Sequence, residues 1–161
     1  MIRDAGEPYY TFIKVHEDFY KRLTTDERLT SEYRIDTWGE GRFNTANLPP
    51  TGVHARYQRV SAIPLEESTG FYTYQINVIV WILVNHRDVS TQYKLAEMYL
   101  SEIAQIFTER PDDWSLEGTV TDIKYGRTDY GQDWTERGAS VLLSSVSFGI
   151  VADIAHMHTQ S

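Results

Sequence analysis

A chain of 161 residues with 41% apolar residues and no cysteine suits one domain with its own core, and excludes disulfides, thiolate nucleophiles and sulfur-ligated zinc. Its net charge of −8 repels phosphate at long range, and no basic stripe of a sequence-reading DNA binder is present. The longest apolar run, residues 78–84, falls far short of the roughly 20 that span a bilayer, and MIRDAGEPYY lacks the apolar core of a secretory signal, so the expected location is the cytosol without a membrane partner.

In chain order, the first predicted element is a helix over 8–23. Tyr9, Phe12, His16, Phe19, Tyr20 and Leu23 fall at three- and four-residue spacing and share a face, with Pro8 in the first turn. A short strand is expected over 32–38. Glycine, asparagine and proline then break regularity and predict a long loop or arm over 36–50. Residues 53–63 start with strict alternation. Val53, Ala55 and Tyr57 face one way, and His54, Arg56 and Gln58 face solvent. Residues 64–70 read as the following turn.

Residues 71–85 carry the strongest periodic signal. Every even position from Tyr72 to Val84 is apolar or aromatic, and the odd positions turn apolar from Ile79 onward. That predicts a central strand with one face buried throughout and the other covered over its second half. A helix over 91–107 follows, capped by Asp88 or Ser90. Its expected core stripe is Tyr93, Ala96, Leu100, Ile103, Ala104 and Phe107, flanked by Leu95, Tyr99 and Ile106. Residues 116–125 predict a polar strand near an edge. Residues 139–154 predict a long strand with Leu142, Val146, Phe148, Ile150 and Ile154 on one face and a bulge at Gly149. These two form a C-terminal hairpin over 116–154, joined by a long polar loop over 126–138, and the last six residues form a tail. The expected fold is α+β: a central, mostly antiparallel or mixed sheet, two helices packed on it, and long loops.

No phosphate-binding glycine loop, nucleophile elbow or His-Glu-x-x-His zinc motif occurs. His16 belongs to an apolar face and reads as a buried, hydrogen-bonded histidine. His54 reads as a surface residue. His86 lies at a strand end beside Asp88, where an acid/base pair could sit, yet no nucleophile or second base accompanies it. His156 and His158 lie in the tail. Asp112-Asp113 point apart, and Asp129, Asp133 and Glu136 lack the oxygen spacing of a calcium loop, so neither metal nor cofactor is expected. Acid is concentrated over 109–136, the ordinary mark of a solvated region.

The 126–138 segment places Tyr130 and Trp134 among charges, flanked by Arg127 and Arg137. Tyrosine, tryptophan and arginine are enriched where proteins bind one another, so these four are the candidate interface residues. The alternative is that Trp134 folds back on its own sheet edge. The sequence therefore points to a protein that binds and assembles rather than catalyses.

The stretch from Gly70 to Val80, GFYTYQINVIV, and the stretch from Tyr93 to Phe107, YKLAEMYLSEIAQIF, together resemble the tail terminator proteins of long-tailed bacteriophages. The element order is similar over residues 9–154. That resemblance implies a homohexameric ring that caps the tail tube, stops its polymerisation and offers a surface to the head connector. Its partners would be further copies of itself, the tail tube protein and a neck protein. DNA would pass through the lumen unread, and an acidic lumen would let it slide. The implied location is the virion, with assembly in the host cytoplasm. A head completion or connector protein, a small hydrolase using His86 and Asp88, and a small-ligand-binding domain are the alternatives.

Overall fold

The computed structural model describes residues 11–44, 47–49, 51–108, 120–136 and 139–155. They form an α+β fold in chain order α1 (Phe12–Thr24), α2 (Glu27–Thr30), β1 (Thr37–Glu40), β2 (Gly52–Ser68), β3 (Phe71–Asn85), α3 (Val89–Thr108), β4 (Val120–Glu136) and β5 (Ala139–Ala155). The strands make one sheet in the order β1-β2-β3-β5-β4. β1 runs parallel to β2, and every other neighbouring pair is antiparallel.

β3 sits at the centre, as its sequence predicts. Ile76, Val78, Val80, Ile82 and Val84 all lie in the main core. They face Ile150, Phe148, Val146, Ser144 and Leu142 on β5, and Val53, Ala55 and Tyr57 on β2. α1 contributes Val15, Phe19 and Leu23 to this face, and α3 contributes Ala96, Leu100, Ile103 and Phe107. The layers meet at three rings. Phe19 stacks on Phe107 at 4.2 Å between centroids, and both stand edge-on to Phe148. Such geometry gains beyond simple area burial.

Local chemistry sets the helix starts. Thr11 caps α1, its side chain accepting from the Lys14 amide, and Lys21 and Arg22 complement the dipole in the last turn. Pro8 and Tyr9 lie outside the described residues. α2 is a third, four-residue helix that the periodicity does not reveal, because it is too short to show a period. Asp26 caps it through the Leu29 amide. Asp88 caps α3, its Oδ2 accepting from the Thr91 amide at 3.2 Å and the Thr91 hydroxyl at 2.6 Å. The buried stripe of α3 is rotated from the predicted one. Tyr93 is exposed and Ala104 only half-buried, whereas Tyr99 and Ile106 are buried with Gln92. Gln92 donates to the His86 carbonyl, and Tyr99 donates to the Arg34 carbonyl, so each reaches a partner while packing inward.

Several predicted boundaries move. The strand expected over 32–38 begins only at Thr37, because Tyr33 and Ile35 donate back to the Arg28 and Leu29 carbonyls and close α2. The turn expected over 64–70 shrinks to Thr69-Gly70, with Gly70 at φ 87°. β2 runs on through Pro64 because β1 pairs only as far as Tyr57, and an edge tolerates proline. The bulge expected at Gly149 is absent, since Gly149 pairs in register with Asn77 and Lys124. A Cβ there would lie 3.3 Å from the Gln75 side chain, so the glycine makes room for that neighbour.

The largest correction is the predicted 126–138 loop. Residues 126–136 continue β4 and pair with β5 to Glu136↔Ala139. Glycines and charges suggest a loop. On an edge strand with one open flank, however, polar residues cost little, and the glycines fall at bulges.

The sheet face away from the helices is also covered at one end. Phe43, Leu83 and Val141 form a second buried cluster with Leu48, Trp81 and Leu143 packed on it. The 36–50 segment thus lies partly against the sheet rather than standing clear as an arm. His54, expected on a solvent face, is buried there, its Nδ1 2.7 Å from the Thr37 hydroxyl. Arg56 stands over the Phe43 ring and donates to the Glu40 carbonyl at 2.9 Å. Gln58 accepts from the Trp81 indole at 2.7 Å. The polar row of β2 faces its own protein.

Candidate assembly surface

The histidine and carboxylate candidates resolve first. His16 lies in the core, its Nδ1 2.7 Å from the Tyr57 hydroxyl. Burial lowers its pKa to about 4, helped by nearby Arg59 and opposed by Glu40, so it is neutral at pH 7. Burial likewise raises the Tyr57 hydroxyl far above its usual range. This is a satisfied buried polar pair, as the sequence suggests.

His86 and Asp88 are spent on the start of α3. His86 Nδ1 accepts from the Asp88 amide, while the Asp88 carboxylate binds Thr91. Those bonds to Thr91 hold the Asp88 carboxyl below its usual pKa, and the geometry is that of a cap. His156, His158 and Asp112-Asp113 lie outside the described residues. Among the described residues no three His, Asp or Glu side chains are grouped to hold a metal. Nor is any helix among them long and apolar enough to cross a membrane.

The four candidate interface residues come from one segment, and β4 now gives it a shape. Arg127, Tyr130 and the backbone of Trp134 lie along this edge strand, and Arg137 lies outside the described residues. Trp134 pairs with Val141. β4 carries three register shifts against β5, at 120–122, 125–128 and 130–133, each inserting one extra residue. Bulges bend a strand, increase its twist and re-aim its side chains.

Gly126 and Gly131 make two of these bulges possible. A Cβ on Gly126 would lie 2.3 Å from the Ser147 hydroxyl, and one on Gly131 would lie 1.7 Å from the Leu143 carbonyl oxygen. The Arg127 amide donates to the Ser147 hydroxyl at 2.9 Å, which anchors the first of them to β5. The Arg127 side chain, 79% exposed, binds Asp129 at 2.8 Å. An exposed pair of this kind is worth at most about 1 kcal/mol, so Arg127 is easily recruited by another partner. Tyr130 is 50% exposed, and Tyr125 on the same strand is 43% exposed.

Two further features escape the sequence reading. One is a concavity of about 320 Å³ on the helix-free face, between the β2 and β4 sides of the sheet, with Gln75, Asn77, Ser147 and Gly149 among its walls. The other is the far half of β2, where Val60, Ile63 and Leu65 are exposed although apolar. The alternation over 53–58 pointed only to a half-buried strand. That the strand outruns its neighbour is set by where β1 stops.

No protein family description matches the chain, and no curated protein matches it. Among solved structures, the fold is similar to a chain in the virion of a native gene transfer agent particle. The TM-score is 0.54 with 10% sequence identity, over 83% of this chain and 91% of that chain, so at this identity the likeness is one of fold.

Proposed function

We propose that this protein is a structural component of a phage-like virion, and specifically a tail terminator. In that role it caps the tail tube, ends its polymerisation and presents the joining surface to the head. The observation that carries the reading is the fold likeness to a virion chain over nearly the full length of both. The resemblance of residues 70–80 and 93–107 to tail terminators gives the finer assignment. His16, His86 and Asp88 fit beside it, since they are engaged in packing and capping.

In this reading the chain acts as a ring of identical copies, and β4 with Arg127, Tyr130 and Trp134 contributes to contacts with a neighbour or the tube. The acidic net charge of −8 suits a lumen through which DNA passes without being held. Light scattering with negative-stain imaging of the purified protein, alone and with tail tubes, tests it. Rings, or density at one tube end, are expected. A protein that neither forms rings nor binds tube ends would refute the assignment, and binding only to head portals would move it to the head-completion class.

A further inference from the structure

We propose that copies of this chain join head to tail through their sheet edges: residues 58–65 of β2 in one copy add to residues 120–127 of β4 in the next. This names the self-contact that the ring requires, and it rests on that reading to that extent. Its evidence is the geometry of the two edges.

Both edges are open among the described residues. β1 pairs with β2 only opposite residues 54–57, so 58–68 has β3 on one flank and no strand on the other. β4 pairs only with β5. An open edge presents unpaired N–H and C=O groups to another strand, the more so where its side chains are apolar. On β2 these are Val60, Ile63 and Leu65, at 50%, 48% and 53% exposure, and on β4 the matching residue is Tyr125. Val60 and Leu65 are the extra residues at the two bulges of β2. With Pro64, these bulges interrupt the ladder, so the edge favours a shaped partner over indiscriminate strand addition.

The register puts the edges at one height. Ser61 is level with Asn77, Gly149 and Lys124, and Ile63 is level with Gln75, Val151 and Asp122. A neighbouring copy rotated about an axis along the strands therefore brings 58–65 alongside 120–127 without sliding. The direction also fits. Three antiparallel steps separate β2 from β4, so the two run in opposite senses. Such a rotation preserves strand direction, and β2 of the next copy meets β4 antiparallel, extending the ladder already present. A contact between two different edges is heterologous, and it closes into a ring when the rotation per copy divides a full turn.

The absence of cysteine makes cross-linking a clean test. Within one chain Ile63 and Asp122 are three strands apart, roughly 14 Å at the usual strand spacing, too far for a disulfide. Ile63→Cys is combined with Asp122→Cys and, separately, with Lys124→Cys in the full chain, and oxidised mildly. A reducible ladder extending beyond the dimer is expected from a double variant and from none of the single variants. Val60→Lys with Leu65→Lys should raise the concentration for half-association at least tenfold while leaving the thermal unfolding of the monomer in place. Dimers from Ile63→Cys alone would overturn the proposal in favour of a two-fold β2 contact. Rings without cross-links in either double variant would overturn it and leave the virion reading standing. A chain that stays monomeric with and without tail tubes would sink both.

Discussion

His16 shows how a polar residue sits on an apolar stripe at no lasting cost. Held neutral against Tyr57 with a pKa of about 4, it takes up its proton much later than a histidine in the unfolded chain, which does so near 6.5. Between those values the unfolded chain binds more protons, so stability falls as pH drops through this window and is unaffected by His16 above it. Urea unfolding at pH 7.5, 6 and 5 should show that decline, and His16→Gln should remove much of it. Gly131 is a second residue whose identity is dictated by space. Gly131→Ala would drive a methyl group into the Leu143 carbonyl, and should cost about 2 kcal/mol or more in urea unfolding through backbone strain. Serine or alanine would fit a loop as well as glycine. The close approach of β5 is what the sequence alone does not disclose.

At the scale of elements, α3 and β4 carry the instructive contrasts. Asp88 begins α3 as a cap, so Asp88→Ala should lower the urea unfolding midpoint and Asp88→Asn should recover most of it. A much larger loss from Asn than from Ala would contradict capping. The helix was legible because its cap and apolar spacing are local. Its exact face was not: Tyr93 and Gln92 exchange roles because the His86 carbonyl offers Gln92 a half-buried partner. β4 was misjudged over 126–136 for a different reason. Its glycines, charges and broken alternation reflect three bulges, and a bulge shifts the two-residue period each time it occurs. Arg127 and Tyr130 lie exposed on this edge strand. The loop assigned to them was wrong.

For the whole molecule, the two apolar clusters predict unequal consequences. Phe19 joins α1, α3 and the sheet through Phe107 and Phe148, so Phe19→Ala should cost about 3–5 kcal/mol. Phe43 covers only one end of the helix-free face. Phe43→Ala should cost less, about 1–3 kcal/mol, and thermal melts of both variants test the ranking. By itself the sequence determined the α+β class, the central β3, the two long helices and the even-numbered apolar row from Ile76 to Val84, because each rests on contacts that repeat along the chain. The tertiary structure alone decided that His54 is buried, that part of the 36–50 segment packs on the second face, and that β2 and β4 end as open edges. Those depend on which strand lies beside which and where its neighbour stops, and a periodic pattern in one segment holds no record of its neighbour's length.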